Sequence, residues 1–235
     1  MNDRPEGDVA LWRGFDPEWN EYGGMICANL LVRAPCEEVA RILRRNPGMP
    51  KRISELLADD SPPSGVCEEP LYVYQLREHE WTQVEADDVV LGSDLPQDLS
   101  RQMSTLAYAR WFDPSSSGSA YVICENGELI EAYGVLADNP TSQGPEGEAD
   151  LRRKLAEGWQ FSRDHTFEFF SKRGTKLDIE SPEECHTRWE RAAEELGMFV
   201  ACRPWTFNPK LRQVERGRGW TPEDFAAAII LYRAG

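Results

Sequence analysis

The segment Ala120-Tyr-Val-Ile-Cys-Glu-Asn126-Gly127-Glu-Leu-Ile-Glu-Ala-Tyr133 constrains the fold more than any other part of the chain. Asn-Gly readily takes the positive φ angles of a two-residue type I′ turn, whose twist matches that of paired antiparallel strands. A hairpin is therefore expected, with Ile123 opposite Ile130 and Cys124 opposite Leu129. Tyr108 to Phe112 supplies a neighbouring strand, reached through the serine-rich loop at 115–119. The result is an antiparallel sheet of at least three strands, which must bury one face against something else.

The preceding residues supply more strands and the covering helices. Leu71-Tyr-Val-Tyr-Gln-Leu76 is aromatic and β-branched, and Trp81 to Val84 continues it after a bend. Met25 to Val32 reads as another strand. Pro35 then opens a helix whose Val39, Ile42 and Leu43 share a face and which stops before Pro47. Asp94 heads a second helix, with Leu95, Leu99, Met103 and Leu106 at steps of four, four and three. These elements define an α+β fold, an antiparallel sheet with helices packed on one face.

Ala137 to Asp150 is dense in turn formers and poor in apolar residues. It divides the chain into an N-terminal α+β region (1–136), a linker or long loop (137–150) and a C-terminal region (151–235), a division compatible with two sub-domains. In the last region, Leu151 to Trp159 reads as a short helix, with Thr166 to Phe170 and Lys176 to Ile179 as strands. Ser181-Pro-Glu-Glu184 is a capping box for a helix whose Cys185, Trp189, Ala192, Ala193 and Leu196 form an apolar face before Gly197 ends it. Phe199 to Cys202 reads as a strand. Thr221-Pro-Glu-Asp224 starts what reads as a last helix, with Phe225, Ala228, Ile229 and Tyr232 on one side.

Charge is the strongest functional lead. The chain carries a formal net charge of −15, and residues 71–150 alone hold fifteen carboxylates against Arg77, Arg101 and Arg110. A clustered negative field attracts basic partners and repels nucleic acid and anionic membranes. Aromatic residues share this segment. An outward row containing Trp81 and Tyr133, flanked by Glu80, Glu85, Asp87, Asp88, Glu128 and Glu131, would suit an Arg/Lys-rich protein, with rings supplying contact area and carboxylates steering encounter.

Other chemistry is thinly represented. Six cysteines, at 27, 36, 67, 124, 185 and 202, form no CxxC pair and read as buried free thiols, with three disulfides as the less favoured reading. Only three histidines occur, His79, His165 and His186. Asp164-His165 is at most half of a triad, and His186 next to Cys185 points about 100° away from it on a helix. Adjacent carboxylates read as solvated surface, and no metal-ligand spacing, phosphate loop or cofactor motif stands out. The one basic, aromatic-interleaved stretch, Arg203 to Arg218, places Trp205 and Phe207 among Arg212, Arg216 and Arg218 as in a single-strand binder. The overall charge argues against nucleic acid and for docking on an acidic surface. The polar, acidic start lacks the pattern of a signal peptide, and the uncharged run Phe225 to Tyr232 is far short of the roughly 20 residues a spanning helix needs.

The expectation is a cytoplasmic, non-enzymatic acidic protein that engages a basic protein partner, resembling in electrostatics an inhibitor or immunity protein. It requires neither cofactor nor metal and contacts neither nucleic acid nor membrane. The alternative is a small-ligand protein or hydrolase-type enzyme with a pocket between the two halves, using His165 or His186 with an acid such as Asp164.

Overall fold

The structure, a computed structural model, describes residues 8–16, 27–46, 49–57, 67–86, 94–113, 118–135, 144–202, 204–208, 213–217 and 219–234. Its centre is a ten-stranded sheet in which every pairing is antiparallel. The early strands are β2 (Cys27–Val32), β3 (Arg52–Glu55), β4 (Cys67–Leu76), β5 (Thr82–Ala86), β6 (Leu106–Asp113), β7 (Gly118–Glu125) and β8 (Glu128–Val135). Residues after 150 add β9 (Gln160–Phe161), β10 (Phe167–Ser171) and β14 (Phe225–Ala234) to the same sheet. The order across it is β3-β14-β4-β5-β2-β6-β7-β8-β10-β9. Two small pairs stand apart: β1 (Gly14–Phe15) runs parallel to β11 (Phe199–Val200), and β12 (Trp205–Asn208) is antiparallel to β13 (Gln213–Arg216).

Helices α1 (Cys36–Leu43) and α2 (Leu95–Met103) pack on one face, as the apolar spacing of each requires. There Val39, Leu43, Leu95 and Leu99 meet Leu30, Val32, Val73, Val84 and Leu231 in one apolar cluster. The opposite face is closed by α4 (Pro182–Glu195) and by the segments around β1 and β11. Cys185, Ala192 and Ala193 of α4 bury against Tyr108, Tyr121, Tyr133 and Phe169, whereas Trp12, Phe199, Trp205 and Trp220 bury against Tyr72, Tyr74 and Ile230. Ser181 caps α4 by accepting from the Glu184 N–H, as its sequence specifies.

Four points differ from the sequence expectation, the first being that α2 ends at Met103 and Leu106, expected on its apolar face, opens β6. Thr221-Pro-Glu-Asp224 makes only a single 3-10 turn, and Phe225–Ala234 continues as a strand instead of a helix. That strand lies between β3 and β4, where Ile229 and Leu231 fill one face and Phe225, Ala228 and Ile230 the other. A run buried on both sides has no reason to alternate, so it is indistinguishable by pattern from a buried helix. Residues 144–150, expected within a linker or long loop, are helical, forming the first part of α3 (Gly144–Ala156), while 137–143 lie outside the described residues. Lys176 to Ile179 forms no strand.

The hairpin at Asn126-Gly127 forms, with φ of +52° and +85°, and Cys124 opposes Leu129. Its register then shifts: a bulge places Ile123 opposite Glu131, not Ile130. One extra residue sends every following β8 side chain to the other face of the sheet. Cys36, Cys124, Cys185 and Cys202 are buried free thiols. Among the described residues, no helix is long and apolar enough to cross a membrane.

Candidate functional site

The bulge determines where the acidic residues go. It turns Glu131 inward beneath α4, where the side chain is fully buried. Its carboxylate accepts from Tyr121 Oη at 2.8 Å, Thr175 Oγ1 at 2.7 Å and Ser171 Oγ at 3.0 Å, and from Arg188 Nη2. Arg188, also buried, binds both Glu195 oxygens at 2.7 and 3.0 Å. Burial pushes the Glu131 carboxyl upward, but the Thr175 hydrogen bond and the Arg188 charge outweigh it and hold the pKa below its ordinary value. Burial, and next to it the same carboxylate, drive the Tyr121 phenol well up. This constellation ties β7, β8, β10 and α4 together, and each oxygen of Glu131 is occupied from within the protein.

A second polar seam lies further along the same face. Gln83 on β5 donates to the Ala201 carbonyl and accepts from the Ala201 N–H, both at 3.0 Å, and also donates to Asn29 Oδ1 at 3.2 Å. The amide thus satisfies both backbone groups of Ala201, just beyond the β1–β11 pairing. Glu85, beside it, accepts from Tyr74 Oη at 3.1 Å. Arg110 lies under the Trp189 ring at 3.6 Å and against Phe15 at 5.5 Å, a buried cation between two aromatic faces.

Of the eight residues expected to form an outward acidic and aromatic row, the six described do not lie together on one surface. Trp81, Glu85, Glu131 and Tyr133 are interior: Trp81 Nε1 donates to the Leu196 carbonyl, and Tyr133 stacks between Tyr121 and Phe167. Glu80 and Glu128 are exposed, and Asp87 and Asp88 lie outside the described residues. The expectation treated this sheet face as open to solvent, whereas α4 and residues 196–202 cover it. Nothing local in residues 71–135 announces covering elements more than 45 residues downstream.

What the structure does bring together is a rim of carboxylates at one end of the sheet. The registers Gln75–Thr82, Val32–Thr82, Leu106–Glu125 and Phe225–Leu76 place the β4–β5 turn, the β7–β8 turn, the start of α1 and the start of β14 at this end. Glu37, Glu38, Glu78, Glu80, Glu125, Glu128 and Glu223 are all exposed there. Arg33 Nε donates to Glu80 at 2.7 Å, Arg41 pairs with Glu38 at 3.2 Å and Lys172 lies 3.7 Å from Glu128. Glu37, Glu78 and Glu125 have no salt bridge among the described residues.

Of the weak catalytic candidates, Asp164 is bound within its own turn. The Asp164 carboxylate accepts from Ser162 Oγ at 2.7 Å and from the Thr166 N–H at 3.1 Å, and these bonds lower its pKa. His165 sits at φ +54° in the same turn, and its Nδ1 has no hydrogen-bond partner. The His186 side chain lies outside the described set, while its neighbour Cys185 is in the core. His79 is buried, with Nε2 2.6 Å from the Val9 carbonyl, and burial lowers its pKa. In the basic stretch Trp205 is interior under Arg216, 5.2 Å from its ring, so it offers no stacking platform. Among the described residues no group of His, Cys, Asp and Glu side chains is arranged to hold a metal ion.

Comparison with known protein families, with curated proteins and with solved structures finds no match.

Proposed function

We propose that the chain is a non-enzymatic binding protein that engages a basic protein partner through the carboxylate rim formed by the β4–β5 and β7–β8 turns and the start of α1. The observation that carries this reading is the net charge of −15, of which the exposed share includes three rim carboxylates without a salt bridge among the described residues. Charges held at turns on a rigid sheet keep their positions, and a fixed negative field accelerates and orients encounter with a positive surface. Inhibitors that cover the site of a basic enzyme use such a field. The four buried free thiols fit a reducing, cytoplasmic setting.

Affinity capture on the intact chain from its native source tests the proposal, followed by identification of what co-elutes. The expected partner is a protein with a basic surface, released by raised salt. A partner that is acidic, or one retained equally at low and high salt, would remove the electrostatic argument.

A further inference from the structure

The outer edge of β3 stands against the sign of the rest of the molecule. Residues 41–52 contain Arg41, Arg44, Arg45, Lys51 and Arg52 and no carboxylate, within a chain of net charge −15. All five are exposed. α1 and β3 bring them together: Arg44 Nε donates to the Lys51 carbonyl at 3.0 Å, and Lys51 Nζ donates back to the Arg44 and Asn46 carbonyls at the end of α1. Arg41 is paired with Glu38, but Arg45 and Arg52 have no ion pair or side-chain hydrogen bond among the described residues.

Among the described residues, β3 is the terminal strand of the sheet and pairs only with β14. Ser54 faces Ile230 in that ladder, and the next hydrogen bond runs from the Leu56 N–H to the Ala228 carbonyl at 2.8 Å. By the alternation of an antiparallel ladder, the N–H and C=O groups of Ile53 and Glu55 point away from the sheet. The Ile53 side chain is 42% exposed. An edge with outward backbone groups, an exposed β-branched side chain and surrounding cations has the components for strand addition.

We infer that the outer edge of β3 accepts an extended acidic peptide segment of a partner protein, added as a further strand, with its carboxylates meeting Arg45 and Arg52 and an apolar side chain meeting Ile53. Charge selects this occupant. Residues 41–55 carry five cations and one carboxylate, Glu55, so a second copy would meet a surface of its own net sign, whereas an acidic segment meets the opposite one. A nucleic acid can meet the cations but cannot continue a peptide ladder. This site is separate from the carboxylate rim and of opposite sign.

The test is fluorescence anisotropy on the full chain with a labelled, end-capped peptide of alternating valine and glutamate. Saturable binding to the natural chain is expected, with no binding of the matching valine–lysine peptide. Ile53→Pro removes an outward N–H while leaving the β14 ladder intact, and should weaken binding by about tenfold or more. Arg45→Glu with Arg52→Glu should weaken it at least as much. If Ile53→Pro lowers the melting temperature, the charge variant alone decides, because its two side chains hold no partner among the described residues. Failure of the acidic peptide to bind, or equal binding by both variants, overturns the inference. So does an oligonucleotide that binds as tightly as the peptide and is indifferent to Ile53→Pro, or an Ile53-dependent dimer that excludes the peptide.

Discussion

The two faces of the sheet are built on different principles. The face under α1 and α2 is mainly an aliphatic layer in which Leu, Ile, Val and Ala interdigitate, with polar contacts from Thr82 and Gln75 at the start of α1. The face under α4 carries a ladder of Tyr108, Tyr121, Tyr133 and Phe167, stacked at 5.8 to 6.2 Å, and sets Glu131, Arg188, Gln83, Glu85 and Arg110 among them. An aliphatic layer tolerates rearrangement at constant volume, whereas a buried charge tolerates none without its partner. On the polar face, then, position is specified group by group. That suits its task, because α4 and residues 199–202 come from far along the chain.

Removing one member of the buried pair should break this contrast most severely. Arg188→Ala leaves Glu131 charged beneath α4 and is expected to cost about 3–5 kcal/mol, measured by urea denaturation. Leu99→Ala on the aliphatic face should cost about 2–5 kcal/mol, with a loss independent of pH. The polar face should instead respond to acid. Because the folded pKa of Glu131 lies below its ordinary value near 4.5, its contribution is complete above that value and is lost as pH falls through the folded value. Glu131→Gln should therefore flatten the acid limb of a stability–pH profile, and an unchanged limb would count against the account of this carboxylate.

Gln83→Ala should cost about 1–3 kcal/mol, since it strands the Ala201 N–H and carbonyl in the interior. Hydrogen exchange should show residues 199–202 opening first. The smallest effect belongs to the exposed pair: Glu80→Ala, which breaks only the contact with Arg33, should change stability by less than about 0.5 kcal/mol.

Much of the architecture was legible where local chemistry decides it. Asn126-Gly127 specified a turn, Pro35 and Ser181 specified helix starts, and the spacing of Leu95, Leu99 and Met103 specified a buried helical face. The C-terminal strand was hidden because Thr221-Pro-Glu-Asp224 carries helix-start chemistry and the following apolar run has no period. Only pairing with β3 and β4 makes it a strand. The candidate site was half legible. Glu80 and Glu128 lie at turns, as their neighbours imply, but Glu131 and Tyr133 depend on a one-residue bulge that no pattern in the hairpin marks. Trp81 and Glu85 are covered by distant residues. The cations of 41–52 attract attention only once β3 is seen to be an edge.

In the proposed function, the exposed carboxylates of the turn rim steer a basic partner. The most direct test of this steering is the salt dependence of affinity for the co-purified partner, measured for the natural chain and for Glu37→Gln, Glu78→Gln, Glu125→Gln combined. Affinity should fall steeply with salt for the natural chain, and the variant should bind more weakly with a shallower slope. Identical affinities and slopes for the two proteins would contradict it.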